Sequence, residues 1–534
     1  MQVEPCKLCN SSSIIYKFRI SQANIYQCTD CGLMVLKSIS TGSKELPLTK
    51  EPDAKPEAYW QNLNEGLAKA YMKEYNEYAP DQGKKILEIG LENPQFIREA
   101  VSRNYQVTLL ESDQQLIAKH QSSLEGVKVH NTKLSNIQAS LFGKYDIITI
   151  YNITEEQQDP FLLIQQIHSL LSEGGVLHLV LPDLGSWSAR VSRKKWKLFH
   201  KESKYYFDSQ NIELFLLKSG FYEIDNFSPY SPVYFDEMQD SLKELKRSYL
   251  GMPARFLYLV FPFLFRRKLS HDLVASRMNV VCRKRDLPLA NEKLSIVIPV
   301  YNEKATFVEL MELVLAKEIE GVDKEIIIVE SNSTDGTKEE VQKYEGREGI
   351  RIIYETKPKG KGHAVRQGIA ESTGSIILIQ DADLEYDVND YDQLIAPILN
   401  YQKMFVLGSR HTGDWKMRDF SDAKLMSDIF NFGQIVFTWM INSFCGSKLK
   451  DPFTMYKVFR RDCIYGLEFE ANRFDFDWEI VIKFLRKKYF PLEIPVNYSS
   501  RSFSEGKKVS ILKDPILWMI ALFKFRFQEL KKRK

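Results

Sequence analysis

The sequence predicts a multidomain α/β protein: a small ribbon stapled through cysteines, then two strand–helix series, each forming a mostly parallel sheet covered by helices. Three observations predict it. Two CxxC motifs separated by eighteen residues lie in the first 37 positions. Short apolar runs alternate with helical stretches from about residue 57 to 286. A second alternating series begins at Leu294, after only the join Asp286-Leu-Pro-Leu-Ala-Asn-Glu292. At roughly 150 residues per domain, 534 residues suit three or four units. A hydrophobic fraction of 44% with 27% charged residues is ordinary globular composition and excludes disorder. Lys plus Arg is 73 against 70 acids, a net charge of +3, so a cationic nucleic-acid binder is excluded and no nucleic-acid partner is expected.

The opening Met1-Gln-Val-Glu-Pro-Cys6 leads into no apolar segment of the secretory kind. No run of about 18 charge-free apolar residues occurs, so no spanning helix is expected. The seven cysteines, an odd number without a leader, suit a reducing compartment, where CxxC pairs hold metal more often than structural disulfides. The expected location is cytoplasmic.

The first unit, 1–37, carries Cys6-Lys-Leu-Cys9 and Cys28-Thr-Asp-Cys31-Gly32. Two such knuckles present four thiolates to one tetrahedral Zn²⁺, and the glycine eases the tight turn. A unit this short lacks the apolar mass to fold without a staple. Four thiolates leave no open position, so the expected zinc is structural. Residues 38–56, with Pro47, Pro52 and Pro56, read as a linker.

The next unit, 57–286, begins its strands at Lys84-Lys-Ile-Leu-Glu-Ile-Gly90, followed by a helical pattern to Arg103. Gln106–Glu111, Tyr145–Tyr151 and Val176–Leu181 are the further strands. With Leu171-Ser-Glu-Gly-Gly175 and Leu181-Pro-Asp-Leu-Gly-Ser186, these runs resemble the class I S-adenosylmethionine-dependent methyltransferases, whose fold is Rossmann-like. The resemblance implies that Gly90 lets backbone approach the cofactor and that Glu111 binds its ribose hydroxyls. The family's Gly-x-Gly-x-Gly stands here as Gly90-Leu-Glu-Asn-Pro94. Glu92 brings a negative side chain toward the cofactor carboxylate, and Pro94 removes an amide donor. The stretch where relatives carry a catalytic histidine reads Asn152-Ile-Thr-Glu-Glu156. The altered cradle favours a fold kept as a scaffold over methyl transfer from S-adenosylmethionine.

The last unit, 292–528, repeats one arrangement: an apolar strand, a polar loop, a helix. Val297-Ile-Pro-Val-Tyr-Asn-Glu303, Ile326-Ile-Ile-Val-Glu330-Ser-Asn-Ser-Thr-Asp335 and Gln380-Asp381-Ala-Asp383-Leu-Glu385 each close a strand. Further strands are expected at Ile350–Tyr354 and Ser375–Gln380. Lys357-Pro-Lys-Gly-Lys-Gly-His363 sets glycines and cations at a loop-to-helix junction, a setting suited to phosphate. Two carboxylates at i, i+2 suit a hard divalent cation bridging a diphosphate. With Gly408-Ser-Arg410, Asp451-Pro-Phe-Thr-Met-Tyr456, Glu493-Ile-Pro-Val-Asn-Tyr498 and Arg501-Ser-Phe-Ser-Glu-Gly-Lys507, these motifs resemble glycosyltransferase family 2, of GT-A fold, in its polyprenyl-phosphate (dolichyl-phosphate mannosyltransferase-like) branch.

That resemblance implies that Pro299, Tyr301, Glu303 and Glu330 line a nucleotide-sugar donor. It implies that Asp381 and Asp383, with Glu385, hold Mg²⁺ or Mn²⁺, and that Arg410, Arg501 and Lys507 grip phosphates. Glu330-Ser-Asn-Ser333 replaces the family's usual Asp-Asp-Gly-Ser, leaving one carboxylate near the base. A lipid phosphate acceptor is already anionic and needs little base catalysis. A glycan hydroxyl would need a base, and Asp475, Asp477 or Glu479 could supply it. The remaining alternatives are a bifunctional glycosyl- and methyltransferase and a non-catalytic scaffold.

Two apolar stretches, Phe256–Phe265 and Ile516–Phe523, are too short to span but have cations beside them, at Arg266-Arg-Lys268 and at Lys524 and Arg526. They suit a peripheral position at the headgroup boundary of a membrane's cytosolic face, aided by the basic tail Lys531–Lys534.

Overall fold

Three strands, β1 (Ile14–Ile20), β2 (Ala23–Cys28) and β3 (Met34–Ser38), form an antiparallel meander at the start of the chain. The structure, a computed structural model, describes residues 4–20, 23–38, 57–78, 85–136, 144–151, 159–227 (apart from 193, 195, 197 and 200–202), 277–285, 292–410, 424–499 and 513–530 (apart from 529). Its contacts divide the chain into two units, Met1–Leu289 and Ala290–Lys534.

In the first unit the meander is followed by α1 (Glu57–Tyr78), β4 (Lys85–Ile89), α2 (Pro94–Ser102), β5 (Gln106–Leu110), α3 (Gln114–Lys119), β6 (Lys128–His130) and β7 (Tyr145–Tyr151). Then come α4 (Pro160–Leu170), β8 (Leu171–Pro182), α5 (Trp187–Ser192), β9 (Tyr205–Tyr206), α6 (Ser209–Lys218), β10 (Phe221–Phe227) and β11 (Arg277–Lys284). Among the described residues the sheet order is β10-β11-β8-β7-β4-β5-β6. Pairing from β8 to β6 is parallel, while β10 and β11 form an antiparallel edge. A parallel strand covered on both faces needs apolar residues at successive positions, and β4 supplies buried Ile86, Leu87 and Ile89. The small meander does not stand alone: β3 pairs with β9 through Met34 and Tyr206.

The second unit begins with β12 (Glu292–Val300), α7 (Phe307–Ala316), β13 (Val322–Glu330), α8 (Thr337–Gln342), β14 (Ile350–Tyr354), α9 (Lys361–Glu371) and β15 (Ile376–Ile379). It continues with α10 (Tyr391–Leu399), β16 (Phe405–Ser409), α11 (Lys424–Cys445), β17 (Lys457–Arg460), α12 (Phe476–Arg486), β18 (Leu492–Pro495) and α13 (Lys513–Phe527). The described strands run β14-β13-β12-β15-β17-β16-β18. The first four are mutually parallel, so their carboxyl ends share one edge, and β17 is antiparallel to both β15 and β16. Open parallel sheets bind ligands along such an edge.

Helix α9 lies on the sheet at Gly368, where an added Cβ would stand 2.4 Å from Val297 Cγ1. At the opposite end of the sheet Glu325 gathers the chain together. Its Oε1 accepts from Ser295 Oγ and Thr373 N, both at 2.6 Å, and its Oε2 lies 2.8 Å from Lys293 Nζ. Burial would raise this carboxyl's pKa, but the Lys293 ammonium and the donated hydrogen bonds hold it down at about 2.

Candidate active site

Three motifs of the second unit reach the carboxyl edge by the same means: an apolar strand, β12, β13 or β15, ends and a polar loop turns before the next helix. Glu330 ends β13 fully buried, its carboxylate accepting from Ser333 N at 2.6 Å and Asn332 N at 3.1 Å. This holds the loop in a tight turn, with Asn332 and the facing Asn302 both at positive φ. The loops after β12 and β13 are then stitched together. Asn302 N donates to Ser333 Oγ, Glu303 N to Thr337 Oγ1 and Lys304 N to Asp335 Oδ2. Pro299, Tyr301 and Glu303 sit half-buried along this seam.

Asp381 and Asp383 follow β15. Asp383 Oδ1 accepts from Glu385 N at 3.1 Å, and Ala382 O accepts from Thr306 Oγ1, which ties the turn to the start of α7. Lys361, the first residue of α9, rests its ammonium on Asp381 Oδ1. Burial lowers the pKa of this lysine, but Asp381, Asp477 and Asp383 around it raise it above its ordinary value, so it stays charged. The glycine-flanked run Gly360-Lys-Gly362 marked this junction in the sequence, but nothing there indicated which acid the lysine meets.

A second set of contacts joins the later motifs. Glu385 Oε2 accepts from Tyr498 Oη at 2.9 Å, and Arg410 lies over the Tyr498 ring at 5.4 Å. Arg410 forks onto Asp451, Nε to Oδ2 at 2.8 Å and Nη2 to Oδ1 at 2.7 Å, and both side chains are buried. Asp451 N in turn donates to Glu493 Oε1 at 2.6 Å. The three motifs around Arg410, Asp451 and Glu493 are therefore one hydrogen-bonded assembly. Arg501 and Lys507 lie outside the described residues.

The acids offered as general bases occupy different positions. Asp477 is buried against Lys457 Nζ at 2.8 Å, and burial lowers the pKa of that lysine. Glu479 is fully buried and accepts from Glu470 N, Ala471 N and Lys483 Nζ. Asp475 Oδ1 accepts from Arg473 N. Lys457 went unread in the sequence because it sits inside the apolar run Met455–Phe459, and its counter-ion lies twenty residues away. Glu355, just past β14, was also missed. It accepts from Ser331 Oγ at 2.6 Å, lies 2.5 Å from His363 Nδ1, and brings a second carboxylate beside Ser331, the position where the sequence lacks one.

The description glycosyl transferase family 2 matches residues 295–466, and the description methyltransferase domain matches residues 59–225. The dolichyl-phosphate beta-glucosyltransferase of Saccharomyces cerevisiae is 30% identical over 263 residues, covering 43% of this chain and 75% of that protein. This chain belongs to glycosyl transferase family 2. The dolichol-phosphate mannosyltransferase of Pyrococcus furiosus is 28% identical over 217 residues, 40% of this chain, and the chain spans 59% of that relative's length. Among solved structures, the Mycobacterium tuberculosis glucosyl-3-phosphoglycerate synthase bound to Mn²⁺, UDP-glucose and phosphoglyceric acid aligns over 44% of this chain and 80% of its own, at 18% identity and a TM-score of 0.33. The family 2 unit is thus the C-terminal α/β unit, and a methyltransferase-like α/β domain precedes it.

Among the described residues, one group of three or more cysteine, histidine or carboxylate side chains converges: Cys6, Cys9, Cys28 and Cys31, whose sulfurs lie within 4.8 Å of one another. Cys6 to Cys31 and Cys9 to Cys28 are each 3.5 Å. Zn–S bonds of about 2.3 Å in a tetrahedron set neighbouring sulfurs about 3.8 Å apart, so the four thiols fit one such ion. The family 2 unit offers a different donor set, two carboxylates at one turn. That set suits a hard cation which completes its shell with phosphate oxygens and water.

In the methyltransferase-like domain the structure brings Gly90 and Glu111 together. Gly90 has φ of 88°, its N–H donates to Leu110 O, and Glu111 Oε2 accepts from Leu91 N at 2.9 Å. Glu111 Oε1 accepts from Asp113 N at 2.8 Å, so both oxygens serve the local backbone. Asn93 and Pro94 have become a helix start: Asn93 Oδ1 accepts from Phe96 N, and Pro94 opens α2. Deeper in the domain Tyr75 Oη bonds His178 Nδ1 at 2.7 Å, and burial pushes that imidazole down to about 3, so it is neutral. The stretch Asn152–Glu156 lies outside the described residues.

Proposed function

We propose that the family 2 unit moves a sugar from a nucleotide-sugar donor to a polyprenyl phosphate at a membrane surface, with inversion at the anomeric carbon. The observation that carries the reading is the placing of Glu330, Asp381 and Asp383 along one edge of four parallel strands, with Lys361 seated on Asp381. The names of the prenyl-phosphate sugar transferases to which the chain is similar support the acceptor class. In this reading Glu330 shapes the loop that receives the nucleotide, and Pro299, Tyr301 and Glu303 line it. Asp381 and Asp383 hold Mg²⁺ or Mn²⁺, which when bound supplies positive charge to the departing diphosphate. Lys361 supplies a further positive charge beside the same group.

An oxygen of the acceptor phosphate attacks the anomeric carbon as the bond to the nucleoside diphosphate breaks on the opposite face. The acceptor is already ionised, so no proton need be removed. The pairing of Asp477 with Lys457 and of Glu479 with Lys483 agrees with this, since neither acid is disposed as a base. Arg410, with Arg501 and Lys507, is assigned to the phosphates, Arg410 acting from its position against Asp451.

Membrane contact is supported by an apolar surface that the sequence revealed only in part. On α11, Phe432, Ile435, Val436 and Trp439 are exposed at i, i+3, i+4 and i+7; on α13, Leu517, Ile520 and Phe523 are exposed. Phe437 packs against Trp518 and Phe444 against Phe523, so the two helices present their faces side by side. No helix among the described residues is long and apolar enough to cross a membrane, so we assign peripheral binding at the cytosolic face. The stretch Phe256–Phe265 lies outside the described residues. We assign the four cysteines to a structural Zn²⁺. The methyltransferase-like domain we read as a scaffold, because Glu111 is occupied by its own loop.

The test is transfer of labelled sugar from a panel of nucleotide donors to polyprenyl phosphate by the full chain, beside the D381N/D383N double variant. Lipid-linked product that is lost in the variant supports the reading. Transfer to soluble glycans but not to the lipid would overturn the acceptor assignment. Full biological activity in the variant would establish the scaffold alternative.

A further inference from the structure

Asp381 does not stand open to a cation; a lysine already sits on it. The backbone of Lys361 is fixed by its two glycine neighbours. Gly360 has φ of 108°, and a Cβ there would lie 2.4 Å from Asn472 O. A Cβ on Gly362 would lie 2.6 Å from Phe476 Cβ and 2.7 Å from Arg473 O. Glycine at both positions lets the first turn of α9 press onto the loop before α12. The contact is pinned by His363 N to Asn472 O at 3.0 Å, Arg366 Nη1 to Phe469 O at 2.6 Å and Arg366 Nη2 to Asn472 Oδ1 at 2.5 Å. With its backbone seated this way, Lys361 carries its ammonium to Asp381 Oδ1.

The charges around it are unequal. Asp381, Asp383 and Asp477 face two ammonium groups, Lys361 and Lys457, and Lys457 is fully buried and committed to Asp477. Lys361 is therefore the cation with somewhere else to go. A dication entering at Asp381 meets a positive charge on the same carboxylate, and the repulsion weakens its binding. A diphosphate arriving at the edge offers the ammonium new acceptors and removes that repulsion.

We propose that Lys361 is an internal counter-ion that keeps divalent-cation affinity at Asp381–Asp383 low until a nucleoside diphosphate arrives. This rests on the reading of that edge as the donor site. Lys361 acts on the cation through Asp381 and is a positioning residue in this respect. By linkage, whatever the nucleotide does to cation affinity the cation does to nucleotide affinity.

The experiment measures free Mn²⁺ by its paramagnetic resonance signal as it is titrated with the full-length protein, alone and with saturating UDP or GDP. The D381N variant defines Mn²⁺ bound elsewhere. In the wild type, Mn²⁺ should bind at least tenfold more tightly with a nucleotide than without. In K361M, nucleotide-free affinity should rise at least tenfold, while affinity in the presence of nucleotide stays level or falls. K361R, which keeps the charge, should behave as wild type and guards against a folding defect in K361M. Damage to a merely structural lysine would lower both affinities, so nucleotide-free affinity that is unchanged or lower in K361M overturns the proposal. Tight Mn²⁺ and nucleotide binding without that rise would leave the donor-site reading standing and remove only the role of Lys361. No difference between wild type and D381N under any condition would remove both.

Discussion

The exposed aromatic rings of α11 give the most direct handle on membrane association. Trp439 is 67% exposed and Phe432 68%, both on the outward stripe of the helix. A large aromatic side chain carries ~200 Å² of surface, so two-thirds exposure leaves ~130 Å² on each ring. At ~25 cal/mol per Å², complete transfer of that surface from water is worth ~3 kcal/mol. Insertion to about half that extent at headgroup depth leaves ~1.5 kcal/mol per ring, about tenfold in partitioning. F432S and W439S should thus each reduce sedimentation with vesicles containing anionic phospholipid by about tenfold, and the double variant by about a hundredfold. Because both residues are exposed, their thermal unfolding curves should overlay that of the wild type to within ~0.5 kcal/mol. Lys524 and Arg526 lie at the end of α13, so added salt should weaken binding of wild type and variants alike. A double variant that sediments with vesicles as the wild type does would refute the assignment of this face to lipid.

Three other outcomes are expected. E325Q removes a carboxyl whose folded pKa, about 2, lies below its ordinary 4.5, so its stabilisation is present at neutral pH and is lost as pH falls from about 4.5 toward 2. After allowance for solvent screening it should cost ~1–2 kcal/mol by urea unfolding at pH 7, with the gap from wild type narrowing below pH 4.5. G368A forces a Cβ to within 2.4 Å of Val297 Cγ1 and should cost ~1–3 kcal/mol, part of which V297A in the same chain restores; full additivity of the two changes would show that the contact is not what matters. Purified protein should hold one zinc by elemental analysis and C28S none, with β1–β3 becoming sensitive to protease; undiminished metal content in C28S would remove the four-cysteine site.

The strands were the most legible part of the chain, because a strand buried on both faces has to be written as an apolar run. Tyr145–Tyr151 and Ile350–Tyr354 read from the sequence coincide with β7 and β14. The four cysteines were equally plain, since CxxC spacing brings ligands together locally. What the sequence could not show was pairing at a distance. Lys457 and Asp477, or Arg410 and Asp451, are contacts between elements whose meeting depends on the whole sheet being assembled. Helix α11 was overlooked because its apolar residues run only about three at a time, broken by Asn431, Gln434, Thr438 and Asn442. The residues of α13 were noticed as such a run, but its faces differ: Ala521, Leu522 and Phe525 are buried while Ile520 and Phe523 are exposed.

The same pairing at a distance explains how a site made of loops is held in register. A loop can be placed accurately only if its polar groups are satisfied by something rigid, and here buried charges do this. Glu330 folds one loop back on its own strand. Asp451 binds the Arg410 motif and, through its amide, Glu493. Glu479 anchors the chain at Glu470 and Ala471, beside the Asn472 carbonyl on which α9 begins. Buried ion pairs contribute little net stability, because desolvation offsets most of their attraction, but removing one partner leaves the other stranded at a cost of ~3–5 kcal/mol. That asymmetry is what a transferase edge needs: it adds little to the stability of the fold, yet it makes every displaced arrangement of these loops expensive. Lys361 differs from the others in being only half-buried, on a carboxylate that faces the expected diphosphate. Of the cations that hold this edge together, it is the one a phosphate can draw away without stranding a fully buried charge.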